Sequence, residues 1–440
     1  MKKVISILYC FILFVLPACR QKADPEVLKN FCENQLGDWN AKLTNVVITD
    51  IFSPAQCSRI YAYPNIAAYE ALRPQYPGYY SYAGKLNGLQ PIPQPKGSKA
   101  NYCFPVSGVI AFTTVARKLV YNGDAIADME KEFLEQLDEL GIDETLLENS
   151  ITYGRDVGTH INTWAEADGY LQRNALPAFI VTREPGRYQP TPPNYTDAVE
   201  TNWKTIRPFV LDSAAQFRPP APPKYDTAKG SPFYKEAYQV YEAVRNPASG
   251  DSAIAWYWDD NPNTSITNGH ITYFQQKNSP PGHWLHIACC VAKKEKYDPM
   301  QTALLLSKTA IAMADAFISA WEAKFMYNYI RPETFINQYI DRDWLPLIQT
   351  PPFPEYPSAH SVTSASAATV LTEMLGEHYE FIDSAEVPYG RPSRKFSSFF
   401  EAADQASLSR MYGGIHFQSA LEKGREQGRK IGAFVVSRLH

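Results

Sequence analysis

Residues 357–376 read Pro-Ser-Ala-His-Ser-Val-Thr-Ser-Ala-Ser-Ala-Ala-Thr-Val-Leu-Thr-Glu-Met-Leu-Gly. Proline at the front, glycine at the back and no breaker between them are the punctuation of a helix. Ser, Ala and Thr dominate the run, so neighbouring backbone can approach it closely. Ser358 suits the N-cap, which leaves the amides of Ala359 and His360 at the positive end of the helix dipole, a ready anion site. His360, in the first turn, is placed to hand over a proton. Taken alone, the same residues read equally well as a capped helix with an incidental histidine.

Working outward, helical periodicity recurs along most of the chain. Apolar residues fall at three- and four-residue steps in Ser58 to Leu72, and the same pattern predicts helices over 106–121, 126–140 and 144–168. Further helices are predicted over 233–245, 283–294, 299–330, 401–412 and 420–439. The best strand signal, Phe179-Ile180-Val181-Thr182, is short. The fold class is therefore all-α. Residues 171–232 break the pattern with proline pairs at Pro192-Pro193, Pro219-Pro220 and Pro222-Pro223, a density that forbids long helices. With Trp203, Phe209 and Phe217 as apolar anchors, this stretch is expected to be a long surface loop wrapped on a helical body. The expected organisation is one helical domain over 20–440, with N-terminal helices in 20–170, the Pro-rich loop in 171–232 and a catalytic helical core in 233–440.

The composition, 45% hydrophobic and 20% charged over 440 residues, is that of a globular chain. A net charge of -4 with no long basic run argues against a nucleic-acid partner. Lys2 and Lys3, the apolar run Val4 to Val15 and Leu16-Pro17-Ala18-Cys19 have the layout of a secretory signal over 1–19, too short for a spanning helix. The segment also resembles the lipobox of bacterial lipoproteins. That likeness implies lipid on Cys19 and a body tethered to the cell envelope, outside the cytoplasm. Later, Leu304 to Ala320 is the most apolar stretch, interrupted by Ser307, Lys308 and Asp315. Cys32, Cys57, Cys103, Cys289 and Cys290, odd in number and widely spaced, read as free thiols rather than a disulfide framework.

Two more clusters accompany Ser358 and His360. Lys324 and Arg331, seven residues apart, would return to one helix face about 10 Å apart along the axis, with Pro332 placing Arg331 at the helix end. By itself the pair reads first as a solvated basic face. Arg410 closes a predicted helix, and Gly413-Gly414 can break it so that His416 points back. A histidine so placed can act as a nucleophile through one ring nitrogen, although alone it also reads as a satisfied core histidine.

Together, Lys-x6-Arg-Pro, Pro-Ser-x-His and Ser-Arg-x5-His resemble the signature of the type 2 phosphatidic acid phosphatase and vanadium haloperoxidase superfamily. The resemblance spans Trp321 to His416 and implies a helical bundle with its active site between facing helices. It implies an oxyanion pocket of Lys324, Arg331, Ser358, Ala359 and Arg410, with His416 and His360 catalytic. Ala359 stands where the family usually has glycine. Ala420 stands where relatives often carry an aspartate that orients the last histidine, so Glu422 or a backbone carbonyl is expected to take that role.

The reading placed first is hydrolysis of small phosphate monoesters through a phosphohistidine on His416, with protonated His360 as acid and no cofactor. The alternative is a haloperoxidase using vanadate, peroxide and halide, with His416 as the vanadium ligand. A third is a non-catalytic envelope lipoprotein that binds phosphate. The flanks resemble haloperoxidases: Trp321 lies one turn before Lys324, Phe353 takes the position near the metal where bromoperoxidases often have histidine, and Gln216-Phe217-Arg218-Pro219-Pro220 resembles bacterial members of that branch. Scaffold alone does not decide the chemistry.

Two features stay outside this pocket. His283, His286, Cys289 and Cys290 are metal-ligand types at helical steps, yet their run reads as a core helix. Asp259-Asp260 before Asn261-Pro262 reads as a turn, with a hard-cation site the alternative.

Overall fold

The structure is a computed structural model that describes residues 24–440 except 34 and 263. The expected signal segment over 1–19, with Cys19, lies outside the described residues. Among those described, fourteen α-helices are joined by loops, short 3-10 turns and two small antiparallel hairpins. The all-helical expectation holds.

The centre is the helix Pro299–Tyr327, which is apolar almost all round and therefore buried on nearly every face. Asp298 caps it through a capping box with Gln301, and Pro299 occupies its first position. It is long and apolar enough to cross a membrane by composition, but 94% of that window is buried inside the protein. Asp315, an interruption in its apolar run, has a structural use. Its carboxylate accepts the backbone N–H groups of Phe209, Val210 and Leu211 at 2.6, 2.9 and 3.1 Å.

That contact pins the Pro-rich loop to the core. Trp203 and Phe209 are buried, and Phe217 packs against the same cluster. Further along, Arg218 pairs with Glu322, while the hydroxyls of Tyr327 and Tyr356 donate to the carbonyls of Pro219 and Pro220 at 2.6 and 2.7 Å. Phe179 to Thr182, expected as the best strand, is irregular. Ile180 is 79% exposed and Phe179 packs edge-on against Phe325, but among the described residues no strand edge pairs with the segment.

The small-residue helix, Ala359–Leu375, packs against the C-terminal helix Gln418–Arg438. Contact there is close enough that a Cβ at Gly428 would lie 2.1 Å from the Val362 carbonyl oxygen. Helices not evident in the sequence occur at Pro25–Glu33, Gln35–Thr49, Asp251–Tyr257 and Pro332–Tyr339. The last corrects one expectation. Asn328, left-handed at φ 48, ends the central helix, and Arg331 is the extended N-cap of the next. Lys324 and Arg331 therefore sit on two elements and converge through a turn, not along one helix face.

Candidate active site

The three clusters converge on His416 and His360, which with Trp321, Phe353, Ala359, Asp260 and Asn261 line a small cavity. Lys324, Arg331, Ser358 and Arg410 are fully buried, so the cluster is no solvated basic face. Each arrives on a separate element: Lys324 from the last turn of the central helix, Arg331 from an N-cap, Ser358 from the start of the small-residue helix. Arg410 ends the helix Phe399–Tyr412. Gly414, at φ 84 against Pro346 and Val244, makes the turn that returns His416 to the cavity.

Two of the three cations are anchored in the wall. Lys324 Nζ donates to the carbonyls of Pro354, Glu355 and Pro357 at 2.9, 2.9 and 2.6 Å. Arg331 donates through Nε to Phe353 O at 2.8 Å and through Nη1 to Ile415 O at 2.9 Å. Phe353 lies under both, its ring centroid 5.0 Å from Lys324 Nζ and 5.1 Å from Arg331 Cζ. Together they shape the 351–357 loop around the cavity. Arg410 is different: Nη1 donates to the Trp258 carbonyl, whereas Nε and Nη2 are buried without a hydrogen-bond partner. Ser358 caps its helix through Ser361 N, and the first-turn amides of Ala359 and His360 have no intrahelical acceptor.

His416 is held at both ends. Nδ1 donates to Glu355 Oε1 at 2.7 Å, and Nε2 lies 3.3 Å from Arg331 Nη1. A donor facing Nε2 requires that nitrogen to carry the lone pair, so the proton is on Nδ1. Glu355, not Glu422, thus takes the place of the aspartate missing at Ala420; Glu422 is engaged with Gln418 at 2.8 Å. The same Glu355 oxygen accepts Phe417 N–H at 2.9 Å. Sequence reasoning missed this because the partners are 61 residues apart. The available signal was a lone carboxylate set between Phe353 and Tyr356 in an otherwise apolar run.

Burial governs the titration of the cluster. It holds both histidines neutral: His416 is further depressed by Arg331, Lys324 and Arg410, and His360 by Arg410, His283 and Lys324. Lys324 falls well below the usual ammonium range, and Arg331 drops to about 10. Burial pushes the Glu355 carboxyl up to about 8, with Arg331 and Lys324 opposing. His360 Nε2 has no hydrogen-bond partner. Held neutral, His360 is a base, and an anion in the cavity would raise its affinity for a proton.

Residues 304–440 match the family model of the VCPO second helical-bundle domain. A solved structure described as the first bacterial vanadium-dependent iodoperoxidase aligns at TM-score 0.87 and 44% identity, over 92% of this chain and 96% of that one. The chain belongs to the phosphatase–vanadium haloperoxidase superfamily, in its bacterial haloperoxidase-like branch. It is an enzyme of that superfamily. A bacterial vanadium-dependent chloroperoxidase in its holo form shares the fold of this haloperoxidase-branch chain at TM-score 0.68 and 15% identity, over 89% of this chain and 93% of that one. Its apo form aligns at 0.64 and 14%, over 86% and 92%. No curated protein matches the sequence.

In this haloperoxidase-like framework the other features noted in the sequence fall into place. Asp259 and Asp260 are no simple surface turn. Asp259 pairs with Lys277 and lies 3.9 Å from Arg410 Nη2, and Asp260 lines the cavity. His283 and His286 separate: His283 contacts Asp260 and Asp383, while His286 Nε2 sits 3.3 Å from Cys290 Sγ. All five described cysteines are free.

Proposed function

We propose that the chain is a vanadate-dependent haloperoxidase that oxidises halide with hydrogen peroxide, iodide being the first halide to test. The observation that carries this is the 44% identity to a vanadium-dependent iodoperoxidase across nearly the whole of both chains. The net chemistry, halide plus hydrogen peroxide plus a proton giving hypohalous acid and water, moves two electrons from halide into the peroxide O–O bond.

The residues present fit a tetrahedral oxyanion. Arg410 Nε and Nη2 and His360 Nε2 are buried polar atoms lacking partners around one cavity, a costly arrangement unless a ligand completes it. Vanadate would be held by His416 Nε2, the Arg410 donors and the first-turn amides of Ala359 and His360, with Arg331 supplying positive potential and Lys324 fixing the 351–357 loop around it. When bound, it supplies Lewis-acid activation of peroxide.

The chain's own part is orientation and proton handling. Glu355 and Arg331 fix His416 with Nε2 as the donor atom. The neutral His360 is poised to take a proton from an incoming peroxide and return it to the departing oxygen. Added negative charge in the cavity raises its affinity for that proton. Phe353, Trp321 and Phe317 keep the wall apolar, which excludes water and strengthens the charge interactions inside.

Phosphate monoester hydrolysis, the reading placed first from sequence, is compatible with the superfamily but has less support. The three solved structures reported above are described as peroxidases, none as a phosphatase. Titrating the vanadium-free protein with orthovanadate while following iodide oxidation tests the proposal: activity should rise in step with vanadate occupancy. Oxidation independent of vanadate, or absent at saturation, would overturn it. We also propose lipid attachment at Cys19 on the sequence pattern alone; palmitate labelling that persists in Cys19→Ser would refute that.

A further inference from the structure

Behind the Trp258–Asp260 wall of the cavity lies a second buried group. His283, near the start of the helix Pro280–Lys294, is fully enclosed and stacks on Trp258 with ring centroids 4.4 Å apart. Its Nε2 is 2.8 Å from Asp383 Oδ2. Its Nδ1 is 3.1 Å from both oxygens of Asp260 and 3.8 Å from Glu386 Oε1. Three carboxylates thus surround one imidazole. Burial opposes protonation of this ring, but Asp260 and Asp383 hold it well above the usual imidazole range. Arg410 also acts on Asp260 from the cavity side, while Lys277 is on Asp259 and Arg394 lies over the Tyr257 ring.

We propose that Asp260, His283 and Glu386 bind a divalent transition-metal cation, zinc or manganese in class, directly beneath the oxyanion pocket. Three observations support this. First, one ligand atom from each residue lies within 4.8 Å of the others, and the 3.1 and 3.8 Å separations from Nδ1 bracket the ~3.3 Å edge of a tetrahedron with bonds near 2.0–2.1 Å. Second, Asp383 holds Nε2 of the same ring and itself accepts Ala385 N–H at 3.0 Å. This is the carboxylate–histidine arrangement that orients a ligating imidazole, leaving Nδ1 to the metal. Third, Glu386 Oε1 has no hydrogen-bond partner although the residue is only 8% exposed. A buried carboxylate oxygen left without a partner and facing an imidazole nitrogen is explained by a shared cation.

One histidine with two carboxylates suits borderline and hard divalent ions rather than the soft ions that select thiolates. The consequence for the neighbouring pocket is mechanical. Trp258 contributes the carbonyl that holds Arg410, and Asp260 lines the cavity. A cation at Asp260 would therefore brace the segment that aims Arg410. The inference stands whichever reaction the pocket performs.

The test uses the full, tag-free chain, loaded by dialysis against Zn²⁺ or Mn²⁺, returned to metal-free buffer and measured for bound metal by mass spectrometry. A stoichiometric amount of one of the two is expected to remain, and Glu386→Gln should retain at least tenfold less. Cys290→Ser, which disrupts the nearby His286–Cys290 contact instead, should retain it. Thermal unfolding with and without chelator separates binding from misfolding: chelator should lower the wild-type midpoint to that of Glu386→Gln and leave the variant unchanged. Retention of neither metal by the wild type, or equal retention by Glu386→Gln, would overturn the proposal. So would loss of the metal in Cys290→Ser.

Discussion

The role of Glu355 gives the sharpest perturbation, because its charge and its shape can be separated. Glu355→Gln keeps an oxygen able to accept both His416 Nδ1–H, now at 2.7 Å, and Phe417 N–H, at 2.9 Å. Only the charge is lost. A hydrogen bond to a charged group contributes about 1.5–3 kcal/mol against about 0.5–1.5 for a neutral one. The His416 bond should therefore weaken by roughly 1–2 kcal/mol, which is roughly 5–30-fold in affinity for an oxyanion ligated by His416. Burial holds the carboxyl at about 8, so the wild type carries this charge only above that pH. The ratio of orthovanadate dissociation constants, variant over wild type, should be near unity at pH 6 and roughly 5–30-fold by pH 9 on this estimate. Calorimetric titration at each pH measures it, and comparison at equal pH cancels the titration of vanadate itself. Stability supplies an independent sign. The folded carboxyl binds its proton more tightly than the unfolded one, so its stabilising contribution is complete below the unfolded value and is lost as pH rises through about 8. The thermal midpoint of Glu355→Gln should therefore gain on the wild type between pH 6 and pH 9. Equal vanadate affinity at pH 9, or a deficit that does not change with pH, would refute the assignment of Glu355 as the group orienting His416.

Three further outcomes are expected. His416→Ala should weaken oxyanion binding at least tenfold, whereas His360→Ala should bind within a few-fold of wild type yet lose turnover by about 10²–10⁴-fold; calorimetry and steady-state rates on both variants separate the roles. Asp315→Ala strands three buried backbone N–H groups at Phe209, Val210 and Leu211, and chemical denaturation should show a loss of at least about 2–3 kcal/mol. Gly428→Ala forces a Cβ to within 2.1 Å of the Val362 carbonyl, with an expected cost of about 1–3 kcal/mol; Gly390→Ala, with nothing within 4 Å but at φ 81, should show a left-handed backbone penalty alone, about 1–2 kcal/mol, in the same unfolding assay.

Sequence carried more of the fold than of the site. Helices with strong periodicity, such as Pro54–Leu72 and Glu144–Glu166, are written locally, and their boundaries shift by only a few residues where Ser53 and Asp143 cap them. The anchoring of the Pro-rich loop was legible as apolar residues, Trp203 and Phe209, but not as the Asp315 contact that fixes it, because a carboxylate in an apolar helix does not announce its acceptor. Lys324 and Arg331 were legible as cations but misplaced on one helix, since nothing local foretells the left-handed turn at Asn328. The partner of His416 was the largest gap. Glu355, Trp258 and Asp260 reach the cavity from loops, where position is set by tertiary packing rather than by period, and Ala420 removed the one local cue that relatives offer.

The central claim is tested most directly by assaying two reactions side by side on one preparation: vanadate-supported oxidation of iodide by peroxide, and hydrolysis of a chromogenic phosphate ester without vanadate. The expected result is iodide oxidation that requires vanadate, is suppressed by competing phosphate and disappears in His416→Ala, with ester hydrolysis at or near background. Rapid ester hydrolysis that vanadate inhibits, with no iodide oxidation at any vanadate concentration, would contradict it and return the pocket to phosphate chemistry.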